Sequence, residues 1–284
     1  MPIEFKKMPE LGFDNMMDEW NYQVLLYGDA MDIGGGTITK EEIDVIGEHP
    51  EWKRISIAGL HQDTFEYFIH TYGAQFEAIY FFKNKFVNDL SALGTLKEIK
   101  AIGYFANQRA EKLWDMSGNK KLCMLSLNDF TRLHDLTGIE TATALRCFDF
   151  GDKVWSSSEI HKLPDLSHST LEKIHYTAKV SYENVYTFLQ IKGLKQLDFP
   201  PNMYKVDFLA WIAANYPNVE GASICPFRIY HEKTGAICGK HKPFIKDADS
   251  EKDKKRMESA SRNFEKLKQK YCGISFEEIL QICV

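Results

Sequence analysis

Three sets of residues in this chain have types and spacings that could do chemistry. Asp32-Ile-Gly-Gly-Gly-Thr37 sets three successive glycines between an acid and a hydroxyl, a composition that lets backbone N–H groups close on a phosphate. Cys225, His231, Cys238 and His241 offer two thiols and two imidazoles, a donor set that zinc accepts. Ser126, Asp149 and His175 are the side-chain types of a hydrolytic triad. What each set can do depends on the elements that hold it.

Those elements emerge through a repeat. The pattern apolar-x-x-apolar-x-apolar recurs as WKRISI from Trp52, FEAIYF from Phe76, LKEIKA from Leu96, LCMLSL from Leu122, LRCFDF from Leu145, LEKIHY from Leu171, LKQLDF from Leu194 and VEGASI from Val219. Successive starts differ by 24, 20, 26, 23, 26, 23 and 25 residues. The recurrence from Trp52 to Phe227 resembles the leucine-rich repeats, whose units span 20 to 29 residues and open with L-x-x-L-x-L. The resemblance is to an irregular, bacterial-type, cytoplasmic member. The family's Asn or Cys, three positions after the last strand residue, is matched by Asn84 and Asn202. Leu60, Tyr104, Phe130, Lys153, Lys179 and Phe227 stand at the equivalent positions of the other units.

Between the strands, DTFEYFIHTY puts Phe65, Phe68, Ile69 and Tyr72 on one helical stripe, and YKVDFLAWIAANY does the same with Phe208, Leu209, Ile212 and Ala213. YENVYTFLQI adds Val185, Phe188 and Leu189, while TRLHDLTGIETATA offers only short helical turns. Strand followed by helix, repeated, implies an α/β leucine-rich-repeat solenoid: a curved parallel sheet with helices on the convex side, capped at both ends. The apolar row Ile55, Ile79, Ile99, Leu125, Phe148, Ile174 and Leu197 would form its continuous core. The expected divisions are 1–51, an amino-terminal cap and irregular first unit with YQVLLYGD as its strand; 52–227, the solenoid; and 228–284, a closing strand and a charged helix.

With those elements in place the three sets can be weighed. Asp32 to Thr37 resembles the phosphate loop of the actin and sugar-kinase ATPases, where a strand follows the glycines. Here Thr39 and Glu42 have capping-box spacing ahead of Ile43, Val45 and Ile46, so a helix follows. The zinc set lacks close pairing, since five residues separate Cys225 from His231. In the sheet, the residue between the second and third apolar positions of each unit faces the concave side, giving the column Ser56, Tyr80, Lys100, Ser126, Asp149, His175, Asp198 and Ser223. Asp149 falls between Ser126 and His175, whereas a triad needs the histidine in the middle.

Recognition fits the column better than catalysis. Ala58, Phe82, Ile102, Asn128 and Gly151 come next along the strands, and Tyr104, Phe105, Phe130 and Trp155 lie just beyond. These aromatics either extend a binding strip or fill vacant Asn positions inside the coil. The expected function is a non-catalytic protein-binding module, an adaptor or an inhibitor or immunity-type protein, binding through Tyr80, Phe82, Lys100, Ser126, Asp149, His175 and Asp198. The alternative is an enzyme using the Asp32–Thr37 loop or the Asp/His column. No catalytic residue, cofactor or metal is expected, and the partner is another protein met by a monomer.

The composition agrees. A net charge of −5 and 26% charged residues give no long-range attraction for nucleic acid or an anionic membrane. The amino-terminal MPIEFKKMPELGFDNMMDEW has no apolar run of signal-peptide length, so a cytoplasmic location with the six cysteines reduced is expected.

Overall fold

The computed structural model describes residues 3–7, 22–27, 36–152, 154 and 158–284 of the 284-residue chain. The chain divides into two compact units, one of Met1–Glu172 and Thr177–Gly193, the other of Lys173–Tyr176 and Leu194–Val284.

The first unit is built on a sheet. β1 (Ile3–Lys7) pairs antiparallel with β2 (Tyr22–Tyr27). β3 (Arg54–Ala58), β4 (Ala78–Phe82), β5 (Ala101–Asn107), β6 (Met124–Phe130) and β7 (Cys147–Gly151) then follow in sequence order, each parallel to the one before, so six parallel strands run from β2 to β7. A parallel sheet built one strand per repeat fits a repeat fold. The short strands β8 (Glu159–Ile160) and β10 (Lys179–Val180) form a separate parallel pair. In the second unit β9 (Lys173–Tyr176) pairs parallel with β11 (Gln196–Asp198), while β12 (Phe227–His231), β13 (Thr234–Ile237) and β14 (Phe244–Ile245) make a small antiparallel sheet. VEGASI supplies only an isolated bridge, Glu220 to Gln196.

The sheet register corrects one repeat. Ile79 of β4 stands opposite Ile102 of β5, not Ile99, and Ile102 stands opposite Leu125. The core row of the first unit is therefore Ile55, Ile79, Ile102, Leu125 and Phe148, spaced by 24, 23, 23 and 23 residues, each fully buried. LKEIKAIGYF carries two overlapping apolar alternations, and the one starting three residues later forms the strand. The uneven intervals of 20 and 26 were the trace of that slip.

Helices cover one face of this sheet. α1 (Lys40–Ile43) starts at the expected capping box: Thr39 accepts the Glu42 N–H, and the Glu42 carboxylate accepts the Thr39 N–H at 2.9 Å. α2 (Gln62–Tyr72) sets Phe65 and Phe68 against Phe81, with ring centroids 5.5 and 6.4 Å apart. Later repeats replace the helix with short 3-10 turns at Ser91–Thr95 and Ile139–Thr141. α3 (Tyr182–Leu189) buries Val185, Phe188 and Leu189.

In the second unit α4 (Val206–Asn215) is nearly all apolar and buries Phe208, Leu209, Ala210, Trp211 and Ile212. α5 (Glu251–Tyr271) is the charged helix, and α6 (Phe276–Cys283) follows it. Three hydrogen bonds tie the end of α5 and the turn that follows it to α4: Trp211 Nε1 to the Ile274 carbonyl at 2.8 Å, Asn215 Nδ2 to the Tyr271 carbonyl at 2.9 Å, and the Tyr271 hydroxyl to Asp207 at 2.6 Å. Among the described residues no helix is long and apolar enough to cross a membrane.

Candidate protein-binding surface

The sheet face turned away from α2 carries the column anticipated from sequence, with one substitution. Ser56, Tyr80, Gly103, Ser126 and Asp149 stand opposite one another across β3 to β7. Gly103, not Lys100, occupies the β5 position, for the reason that displaced Ile99. Lys100 precedes the strand, and its ammonium lies 3.1 Å from Glu77 with more than a third of each side chain exposed. The neighbouring column likewise reads Ala58, Phe82, Phe105, Asn128 and Gly151, with Phe105 in place of Ile102.

This face is buried, a second correction. Ser56, Tyr80, Ser126 and Asp149 keep between 0% and 6% of their surface. Tyr80 belongs to an apolar cluster with Ala78, Ala101, Phe105, Met124 and Cys147, against which Phe82 packs. Phe82 and Phe105 stack at 5.6 Å. At the β6–β7 end the cluster gives way to polar groups: the Ser126 hydroxyl donates to Asp149 Oδ2 at 2.7 Å, and Asn128 Nδ2 reaches the same oxygen at 3.3 Å. Two buried donors on one carboxylate oxygen satisfy Asp149 inside the protein, which makes it a poor handle for a partner.

In the second unit His175 and Asp198 stand opposite each other on β9 and β11, both half-buried. Asp198 accepts from the Ala222 N–H at 2.6 Å through one oxygen and from Gln196 Nε2 through the other. Its carboxylate binds the next turn of its own chain. Of the more distant aromatics, Tyr104 and Phe130 lie on the helix side: Tyr104 is 1% exposed and sits between Phe81 and Phe130 at 5.0 and 5.2 Å. These two fill the coil, while Trp155 lies outside the described residues. Asp32 to Gly35 of the glycine loop lie outside them too.

The exposed chemistry is at the rim where the parallel strands end. Each strand closes through a left-handed residue, Gly59, Lys83, Ala106 and Asp129 in turn, with φ of 82°, 56°, 63° and 56°. The chain then turns over a buried asparagine. Asn84 donates to the Ile57 carbonyl at 2.9 Å and accepts the Leu60 N–H at 2.8 Å. Asn107 donates to the Val87 carbonyl and accepts the Arg109 and Ala110 N–H groups, all at 2.8 to 2.9 Å.

Held by that turn, the Arg109 guanidinium lies 5.8 Å from the centre of the Phe86 ring, whose other neighbour is His61 at 5.3 Å. Phe86 is 41% exposed, unusual for a large apolar side chain. Phe86, Arg109, Lys112 and Arg132 line a cleft of about 700 Å³ together with Asp89 and Glu111. Glu111 meets Arg132 at 3.4 Å, an exposed and weak pair. Three cations against two carboxylates give the cleft a positive excess in a chain that is negative overall. These residues do not stand out in the sequence, because they lie in the turns beyond the repeated strand pattern. The 23-residue interval between Arg109 and Arg132 was the available signal.

Of the proposed zinc donors, Cys225 and Cys238 converge, but among the described residues no group of three or more His, Cys, Asp or Glu side chains could hold a metal.

Comparison with known proteins leaves the family open. No protein-family model matches the chain, and no curated protein does. Among solved structures, an internalin from Listeria monocytogenes aligns over 65% of this chain and 49% of its own, with 18% identity and a TM-score of 0.38.

Proposed function

We propose that this chain is a non-catalytic protein-binding module, and that the rim residues Phe86, Arg109, Lys112 and Arg132 contact an acidic surface of the partner. The observation that carries the reading is the Phe86–Arg109 pair. An exposed ring is capped by a guanidinium that, among the described residues, has no carboxylate at hydrogen-bonding distance, and aromatic rings and arginine are the residue types enriched where proteins bind proteins. The repeat supports it, because one rung per 23 residues brings loops distant in sequence into line. Tyr80, Phe82, Ser126 and Asp149, expected to touch the partner, are here proposed to shape the sheet beneath the rim. An adaptor or inhibitor role in the cytoplasm is part of the same proposal.

The test is capture from an extract of the native host on immobilised protein. Arg109→Glu with Arg132→Glu, both exposed, should remove a partner that the unaltered chain retains. Lys252→Glu on α5 should leave it bound. Equal retention by all three proteins would refute the rim.

A further inference from the structure

Cys225 and Cys238 meet at the open end of the β12–β13 hairpin. The register pairs Phe227 with Ile237, and the Cys238 N–H donates to the Pro226 carbonyl at 3.0 Å, which sets the two cysteines diagonally across the last rung. Their Sγ atoms are 3.7 Å apart. A disulfide bond is about 2.05 Å long, so bonding needs only a small approach of the two sulfurs. Cys238 is fully buried and Cys225 half-buried, leaving Cys225 as the sulfur that a small oxidant reaches first.

We propose that Cys225 and Cys238 form a dithiol–disulfide site whose substrate class is a small-molecule disulfide such as oxidised glutathione. The Cys225 thiolate attacks one sulfur of oxidised glutathione, forming a mixed disulfide and releasing one glutathione thiolate. Cys238 passes its proton to that thiolate and attacks the Cys225 sulfur, expelling the second glutathione, which takes up the proton Cys225 had lost. Two protein thiols lose two electrons, and one glutathione disulfide becomes two thiols. The electrostatics agree with this division of labour. The hydrogen bond from Cys238 holds the Cys225 thiol below its ordinary pKa, helped by Arg228, whereas Cys238 is pushed well up by that same contact and by burial. The product would close a short loop over the hairpin that carries the exposed Ile229 and Tyr230. It would act independently of the rim.

Incubation of the folded chain with oxidised glutathione, followed by alkylation in denaturant and peptide mapping, decides the matter. The expected result is a Cys225–Cys238 crosslink with alkylatable thiols falling from six to four, reversed by dithiothreitol. Cys238→Ser should instead retain glutathione on Cys225, and Cys225→Ser should give neither product. Six free thiols, a crosslink between other cysteines, or glutathione persisting on Cys225 of the unaltered chain would each overturn the proposal.

Discussion

Asn107 stands one repeat beyond Asn84 and performs the same task, each buried amide joining the end of its strand to a neighbouring turn through backbone groups. The two are also linked through a third side chain: the Tyr104 hydroxyl donates to the Asn84 carbonyl at 2.6 Å and accepts from Asn107 Nδ2 at 3.1 Å. Truncating either side chain strands buried backbone groups, each at about 1–3 kcal/mol. Asn84→Ala and Asn107→Ala should each lower unfolding free energy by roughly 2–4 kcal/mol in urea, on two unpaired groups or more. A loss below about 0.5 kcal/mol, the range of neutral surface changes, would show that the amide is not a rung.

Gly151 ends β7 with φ of 115°, and a Cβ placed there would stand 2.3 Å from the Ala178 amide nitrogen and 2.9 Å from the Thr177 carbonyl carbon. Backbone atoms cannot swing aside as a side chain does. Gly151→Ala should therefore cost at least about 2 kcal/mol, from strain and overlap together. Gly273 has φ of 78° with nothing within 4 Å of the equivalent position, so Gly273→Ala should cost only the left-handed penalty of about 1 kcal/mol. Thermal unfolding of the two variants side by side should rank them in that order.

Much of the first unit is legible in the sequence. Ile55, Ile79, Leu125 and Phe148 lie in the expected core row, the Thr39–Glu42 box caps a helix, and the segment after β6 holds only a 3-10 turn at Ile139–Thr141. Ile102 and Asn107 escaped because Ile99 offers an equally good apolar period three residues earlier, and period alone cannot choose between overlapping alternations. The column was assigned to an open face because alternation implies one wet side. AIGYFAN is instead apolar almost throughout, the mark of a strand buried on both faces, and every residue of β5 is buried. The rim was illegible for another reason: Phe86 and Arg109 are 23 residues apart, and only the register brings a ring under a guanidinium.

Asp44 accepts hydrogen bonds from both Tyr67 and Tyr72 on the same oxygen, at 2.5 and 2.8 Å. Burial, then that bond, raises the Tyr72 phenol to about 12. The folded value lies above that of an unfolded tyrosine, about 10, so the contribution is complete below about pH 10 and is lost as pH rises toward 12. Tyrosinate absorbance should show Tyr72 ionising late. Asp44→Asn should move it back toward the ordinary range, and an unchanged titration would disprove the link.

At the start of α5 the carboxylate of Asp253 accepts the Lys246 and Asp247 N–H groups at 3.0 and 3.2 Å and the Arg256 guanidinium at 2.9 Å. The bond from the Asp247 amide is the main cause that lowers its pKa, with those from Lys246 and Arg256 adding to it. A depressed folded pKa means the stabilisation is present above the unfolded value, about 3.9, and disappears as pH falls through the folded one. Asp253→Asn removes the charge at every pH, although it keeps the shape of the side chain. The variant should be less stable than the unaltered chain at neutral pH, and the gap should narrow below about pH 4, where the unfolded chain takes up a proton that the native carboxylate still resists, until the pH passes the depressed folded pKa. Urea unfolding followed across that range measures the gap directly, and a difference that stayed constant from neutral to acid would show that the fold uses the side chain only as a neutral acceptor.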